Sequence, residues 1–138
     1  MIQFELHPRL MADTHVLCES VSTVLLLMDN ALLPWFILVP KTDRTELHRL
    51  EPGLRRSVRD ETDRLAAFVE SEFAPDKLNI ATIGNLVPQL HIHVIARYRS
   101  DPCWPAPVWG RPERRDYEHG QVERLRARVL ETMGDRLI

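Results

Sequence analysis

The chain has 138 residues, 44% of them hydrophobic and 28% charged, with a formal net charge of −2. That length suits one domain with a real core, and the composition is that of an ordinary soluble globular protein. Nothing in the charge balance suggests the basic stripe of a nonspecific nucleic-acid binder: Arg111, Arg114, Arg115, Arg124, Arg126 and Arg128 gather near the C-terminus, but Asp116, Glu118, Glu123 and Glu131 are interspersed as on a solvated helix face.

Along the chain, "MIQFELHPRL" lacks a basic region followed by an apolar run and does not read as a signal peptide. "THVLCES" and "VSTVLLLMD" read as two strands, the second apolar on both faces and therefore central. "DNALLP" is a turn, and "WFILVP" is a third strand ended by Pro40. The apolar region 24–40 is broken by Asp29, Asn30 and Pro34, which rules it out as a bilayer span. "KTDRTELHRLEPG" is polar, with room for a short helical turn.

From Pro52 to Phe73 the period changes. Leu54, Val58, Leu65, Val69 and Phe73 recur at helical spacing, Pro52 fits a first helical turn, and Pro75 ends the run. "DKLNIATIG" reads as a fourth strand and "QLHIHVIARYR" as a fifth. "SDPCWPAPVWGRP" holds four prolines and two tryptophans, so it is neither regular helix nor central strand. "QVERLRARVLETM" places Val122, Leu125, Val129 and Met133 on one helical face. The order predicts an α+β fold: a mostly antiparallel sheet of about five strands, one long helix packed on it and a C-terminal helix. Cys18 and Cys103 are far apart and in no CxxC pair, which fits small buried hydrophobes in a reducing cytoplasm.

The chemistry concentrates in "VPQLHIHVIARYR". In a strand, Gln89, His91 and His93 share one face, while Leu90, Ile92 and Val94 share the other and pack on the helix 52–73. Three uses fit a His-x-His pair on a strand. One is a metal site, which needs a third ligand that His7, His15, His48 and His119 do not supply at any matching spacing. The second is nucleophilic catalysis at phosphorus, with one imidazole attacking and a neighbour assisting. The third is a structural pair of hydrogen-bonded histidines.

"GNLVPQLHIHVIAR" resembles the signature strand of the HIT (histidine triad) family of nucleotide hydrolases and transferases, His-φ-His-φ-His-φ-φ with φ apolar, with Gln89 in the first histidine position. "GNLVP" is similar to the family's Gly-Gln-Ser/Thr-Val segment, with Asn85 for Gln and Leu86 for the hydroxyl residue. "PWFILVPK" resembles its Pro-Gly-His-φ-Leu-Val-Ile-Pro-Lys stretch, read with Trp35 at the Gly and Phe36 at the His. The match runs in order over residues 15–110, leaving a C-terminal arm and helix at 101–138 of a single domain, and "DPCWPAPVWG" resembles the arm of a bacterial branch described as diadenosine-tetraphosphate-hydrolase-like.

The resemblance implies that His91 is the nucleophile at the α-phosphorus of a nucleotide, forming a nucleotidyl-histidine that water hydrolyses. It implies that His93 contacts the phosphate and helps the leaving group, with Gln89 and Asn85 as short-range donors. Asp29 or Asn30 would meet the ribose, Asn79 the phosphates, and Trp104 would lie near the mouth of the site. No metal or cofactor is implied. The implied partners are a purine nucleotide or dinucleoside polyphosphate and a second copy of the chain in a homodimer, with no nucleic acid and no membrane. The other reading is a nucleotide-binding dimer with little turnover, motivated by the missing histidines at 36 and 89.

Overall fold

Strands β2 (Thr23–Met28) and β3 (Trp35–Pro40) are buried along almost their whole length, and such strands belong inside a sheet covered on both faces. The computed structural model, which describes residues 3–137, places them there. With β1 (Thr14–Glu19), β4 (Lys77–Ala81) and β5 (Ile92–Arg97) they form a five-stranded sheet of order β1-β2-β3-β5-β4. Every neighbouring pair is antiparallel, so the α+β expectation holds.

The long helix α2 runs Pro52–Phe73, the span its apolar period predicts. Pro52 lies in its first turn, where a missing N–H does no harm. It ends at Ala74, a left-handed residue (φ 45°, ψ 55°) whose N–H bonds the carbonyl of Glu70; Pro75 then prevents continuation. Val58, Leu65, Phe68 and Val69 of α2 pack on Leu25, Leu27, Phe36, Leu38, Leu90, Ile92 and Val94 of the sheet side. A C-terminal helix, α3 (Gln121–Leu137), adds Val129 and Met133 to this core and packs on β1 and α2.

The opposite face has no long helix. Val24, Leu26, Trp35, Ile37, Val39 and Ile95 are covered by Phe4, Leu6 and Leu10 near the N-terminus, and by Cys103, Val108 and Trp109 from the irregular stretch after β5. Leu10 belongs to a short helix, α1 (Pro8–Asp13), absent from the sequence reading. Six residues are too few to show a helical period; its signals are Pro8 in the first turn and the His7 ring capping Arg9 N at 3.1 Å. The predicted fifth strand starts three residues late, at Ile92, because Pro88 has no N–H to pair and the chain bends at Gln89. The fourth strand ends at Ala81 rather than Gly84, and the polar stretch 41–53 holds a 3₁₀ turn at Leu47–Arg49.

Arg97, at the end of β5, is 2% exposed, and a buried guanidinium must be paired. Its Nε and Nη2 donate to Asp101 (2.9 and 3.2 Å), Nη1 to Asn79 Oδ1 (2.9 Å) and Nη2 also to Ala106 O (2.8 Å). The carboxylate of Asp101 also accepts from the backbone N–H groups of Tyr98, Cys103 and Trp104. The Trp104 ring closes the group, its centroid 5.7 Å from the guanidinium carbon. This network fixes the chain as it leaves β5.

Burial raises the Asp101 pKa, but the hydrogen bonds from Arg97 and the three backbone N–H groups outweigh it and hold the carboxyl at about 2. A carboxylate depressed in the folded state stabilises fully above its unfolded pKa of about 4, and the contribution is lost as pH falls through the folded value. Denaturant unfolding is therefore expected to show stability falling between about pH 4 and about pH 2. Asp101→Asn should lower stability at neutral pH by about 3 kcal/mol, the scale of breaking a buried ion pair, and flatten that acid limb.

Candidate active site

His93 is the second residue of β5 and His91 the residue just before the strand. Their rings lie 4.9 Å apart, and the two residues are only 4% and 7% exposed. They open onto different cavities. His93 lines a cleft of about 370 Å³ with Met28, Asp29, Asn30, Trp35 and Trp109. His91 lines a smaller cavity of about 200 Å³ with Thr45, Thr82, Asn85 and Gln89.

Hydrogen bonding assigns the proton on each ring. His91 Nδ1 lies 2.7 Å from the carbonyl oxygen of Gln89, which only accepts, so Nδ1 carries the hydrogen and neutral His91 keeps its lone pair on Nε2. His93 Nδ1 is 2.9 Å from Trp35 Nε1, an indole N–H that only donates, so here Nδ1 is the acceptor. Burial, helped by the neighbouring His91, pushes the His93 pKa down to about 3, so this ring is neutral at physiological pH. Trp109 packs edge-on against His93, with centroids 5.2 Å apart.

The alignment placing Phe36 at the family's histidine position is corrected by the register. Phe36 pairs with Val94 and points into the helix-side core, whereas Trp35 reaches His93. The aromatic wall of the cleft likewise comes from Trp109 and not Trp104, whose ring is against Arg97 and lines neither cavity. The sequence reading placed Trp35 only at the family's Gly position, and weighed Trp109 as site lining beside Trp104 without separating the two. For Trp35 the signal is strand alternation combined with the β3–β5 register; for Trp109 no local signal exists.

The Gln89 side chain holds the N-terminal segment. Its Oε1 accepts from His7 N and its Nε2 donates to Glu5 O, both at 2.9 Å. Asn79 lines neither cavity and serves Arg97. Asn85 stands in the His91 cavity.

Asn30 secures the arm: its Nδ2 donates to Glu113 O at 3.3 Å, and its Oδ1 accepts from Leu32 N and Arg115 N. Ala31 N donates to Arg115 O at 2.6 Å beside it. Asp29 accepts from His15 Nε2 (3.0 Å) and Arg114 (2.8 Å); burial raises its pKa, but the His15 bond and charge, the Tyr117 N–H and Arg114 outweigh it and keep the carboxyl ionised. On the arm, Trp109 Nε1 and Glu113 Oε2 are buried without hydrogen-bond partners, so the cleft wall offers one donor and one acceptor.

Among the described residues no three His, Cys, Asp or Glu side chains are grouped to hold a metal ion, and no helix is long and apolar enough to cross a membrane.

Likeness to known proteins gives the family. The HIT domain model matches residues 9–100. A histidine triad protein from Marinobacter aquaeolei VT8 is 39% identical, with TM-score 0.90 over 98% of both chains. Histidine triad proteins from Sinorhizobium meliloti 1021 and Bradyrhizobium japonicum are 35% and 34% identical, each with TM-score 0.89 over 94% of this chain and 97% of theirs. No curated protein matches the chain. The chain belongs to the HIT domain family, a superfamily of nucleotide-binding proteins and hydrolases.

Gln89→Ala removes both bonds to the N-terminal segment. Faster amide hydrogen exchange at His7 and a stability loss of about 1–3 kcal/mol are expected. Exchange read by mass spectrometry, beside denaturant unfolding, checks both.

Proposed function

We propose that the protein is a nucleotide hydrolase or transferase that cleaves at the α-phosphate of a nucleotide derivative through a nucleotidyl-histidine on His91. The observation that carries this is the hydrogen bond from His91 Nδ1 to the Gln89 carbonyl, which leaves the Nε2 lone pair free. In the first step the Nε2–P bond forms and the bond from phosphorus to the leaving group breaks. The carbonyl of Gln89 then stabilises the positive ring through the Nδ1 proton. Water attacks the same phosphorus in the second step, releasing the nucleoside monophosphate and restoring His91.

The nucleoside is assigned to the larger cleft. Met28, Leu32, Leu33 and Trp109 offer apolar surface to a purine, Asp29 offers a carboxylate to ribose hydroxyls, and the unpartnered Trp109 N–H and Glu113 oxygen offer polar contacts. Asn30 acts by holding the arm that closes this cleft, and the role given to Asn85, which lines the His91 cavity, is that of a donor to the phosphate. The leaving group then lies on the His91 side. The substrate class is a dinucleoside polyphosphate or a nucleoside phosphoramidate. The resemblance of the arm supports the diadenosine-tetraphosphate-hydrolase-like branch, that of the family as a whole a homodimer, and the two free cysteines a cytoplasmic location.

A second reading, a nucleotide-binding protein with little turnover, is favoured by one feature of the site. Gln89 is committed to the N-terminal segment, His93 is neutral, and among the described residues no Lys or Arg lines the His91 cavity. Developing charge on the phosphoryl group therefore meets few cations.

AMP release from diadenosine tetraphosphate and from an adenosine phosphoramidate separates the readings. His91→Ala is expected to lower kcat by at least about a thousandfold, as loss of a nucleophile does. His93→Ala is expected to leave an adenylylated protein detectable by mass spectrometry. Wild-type release no faster than that of His91→Ala on both substrates, with tight AMP binding by calorimetry, would establish the second reading instead.

A further inference from the structure

The two histidines carry their protons on opposite ring atoms, and different partners set them. For His93 the partner is a side chain. Trp35 Nε1–H reaches Nδ1 at 2.9 Å in a buried setting, with Trp35 itself 7% exposed. Indole nitrogen donates and never accepts. A proton on His93 Nδ1 would set two N–H groups against each other at a buried contact, leaving both without an acceptor there. The ring cannot easily turn over to escape this. It is packed edge-on by Trp109 at 5.2 Å and against His91 at 4.9 Å, and its backbone is paired in β5 opposite both Ile37 and Ala81.

We propose that Trp35 is a positioning residue that locks His93 as a neutral imidazole with its proton on Nε2, making it a fixed hydrogen-bond donor to the phosphoryl group and not a proton carrier. The groups facing His93 agree with this assignment. From β3 Trp35, from the arm Trp109 and from its own chain segment His91 pack on the ring. Asp13, Asp29, Arg111, Glu113 and Arg114 share its cleft, but among the described residues no carboxylate bonds the ring, and Asp29 is held by His15 and Arg114. The lock also limits the chemistry. A neutral Nε2–H can bond a phosphoryl oxygen in both ground and transition states, but giving up its only proton would leave an imidazolate. The proton that an amine leaving group requires must then come from water or the substrate, whereas a phosphate leaving group departs as an anion and needs none. This consequence rests on the nucleotide-cleaving reading; the tautomer is a property of the free protein.

Nitrogen-15 NMR of the imidazole rings tests the lock without substrate. Wild-type His93 is expected to show an unprotonated Nδ1 and a protonated Nε2, unchanged from about pH 5 to about pH 8, the range in which ordinary histidines titrate. Trp35→Phe keeps an aromatic ring but removes the N–H. It should let His93 exchange between tautomers and titrate within that range, with a fall in kcat/KM on the order of tenfold to a hundredfold as the ring loses its fixed orientation. The pH–rate profile of Trp35→Phe should gain a limb that the wild type lacks. Trp109→Phe, which leaves the indole bond at Nδ1 intact, should keep the wild-type tautomer, and amide spectra of each variant report folding. A wild-type His93 protonated on Nδ1, or a folded Trp35→Phe whose His93 keeps the Nε2–H form and does not titrate, would overturn the proposal. An intact lock in a protein that releases no AMP would sink only the hydrolase reading.

Discussion

The buried guanidinium of Arg97 is the constraint around which the functional face is arranged. A charge at 2% exposure must find acceptors for its donors, and the sequence supplies them from three places: Asn79 on the edge strand, Asp101 in the turn and the carbonyl of Ala106. Meeting that demand turns the chain sharply after β5 and sends 102–114 back across the sheet. Cys103, Val108 and Trp109 arrive over Trp35 and Ile95 because the turn beneath them is fixed. Asn30 then fastens the far end of the same stretch, so the cleft is built between two pinned points.

Within that enclosure, two simple facts of hydrogen bonding differentiate two identical side chains. A carbonyl accepts only, so His91 is left with a lone pair on Nε2; an indole donates only, so His93 is left with a proton there. Neither outcome depends on a nearby charge, which suits a site where the Gln89 side chain is bonded to the N-terminal segment and Trp35 meets the second ring. The sheet contributes the spacing: one residue between the two histidines puts both rings toward the same face, although only His93 is within the strand proper.

Much of the fold was legible because its signals are local. The span of β3 follows from an apolar run ended by Pro40, and that of α2 from a helical period bounded by Pro52 and Pro75. The histidine pair was legible for the same reason. What escaped depends on contacts between distant residues. The Gln89 side chain bonds to residues 82 and 84 positions away, which alternation alone cannot foresee. Asn79 looks like a phosphate ligand until the β4–β5 pairing sets it beside Arg97. The two tryptophans of the arm cannot be ranked from sequence, since prolines remove any period that would say which one faces the sheet.

The left-handed Ala74 at the end of α2 has a different kind of consequence. An alanine in that conformation carries a strain of about 1–2 kcal/mol that glycine would not. It lines none of the cavities around the histidines. The molecule thus keeps an unspent margin at a helix terminus, where a single change of residue type would raise its tolerance of later, destabilising alterations in the cleft without altering the chemistry there.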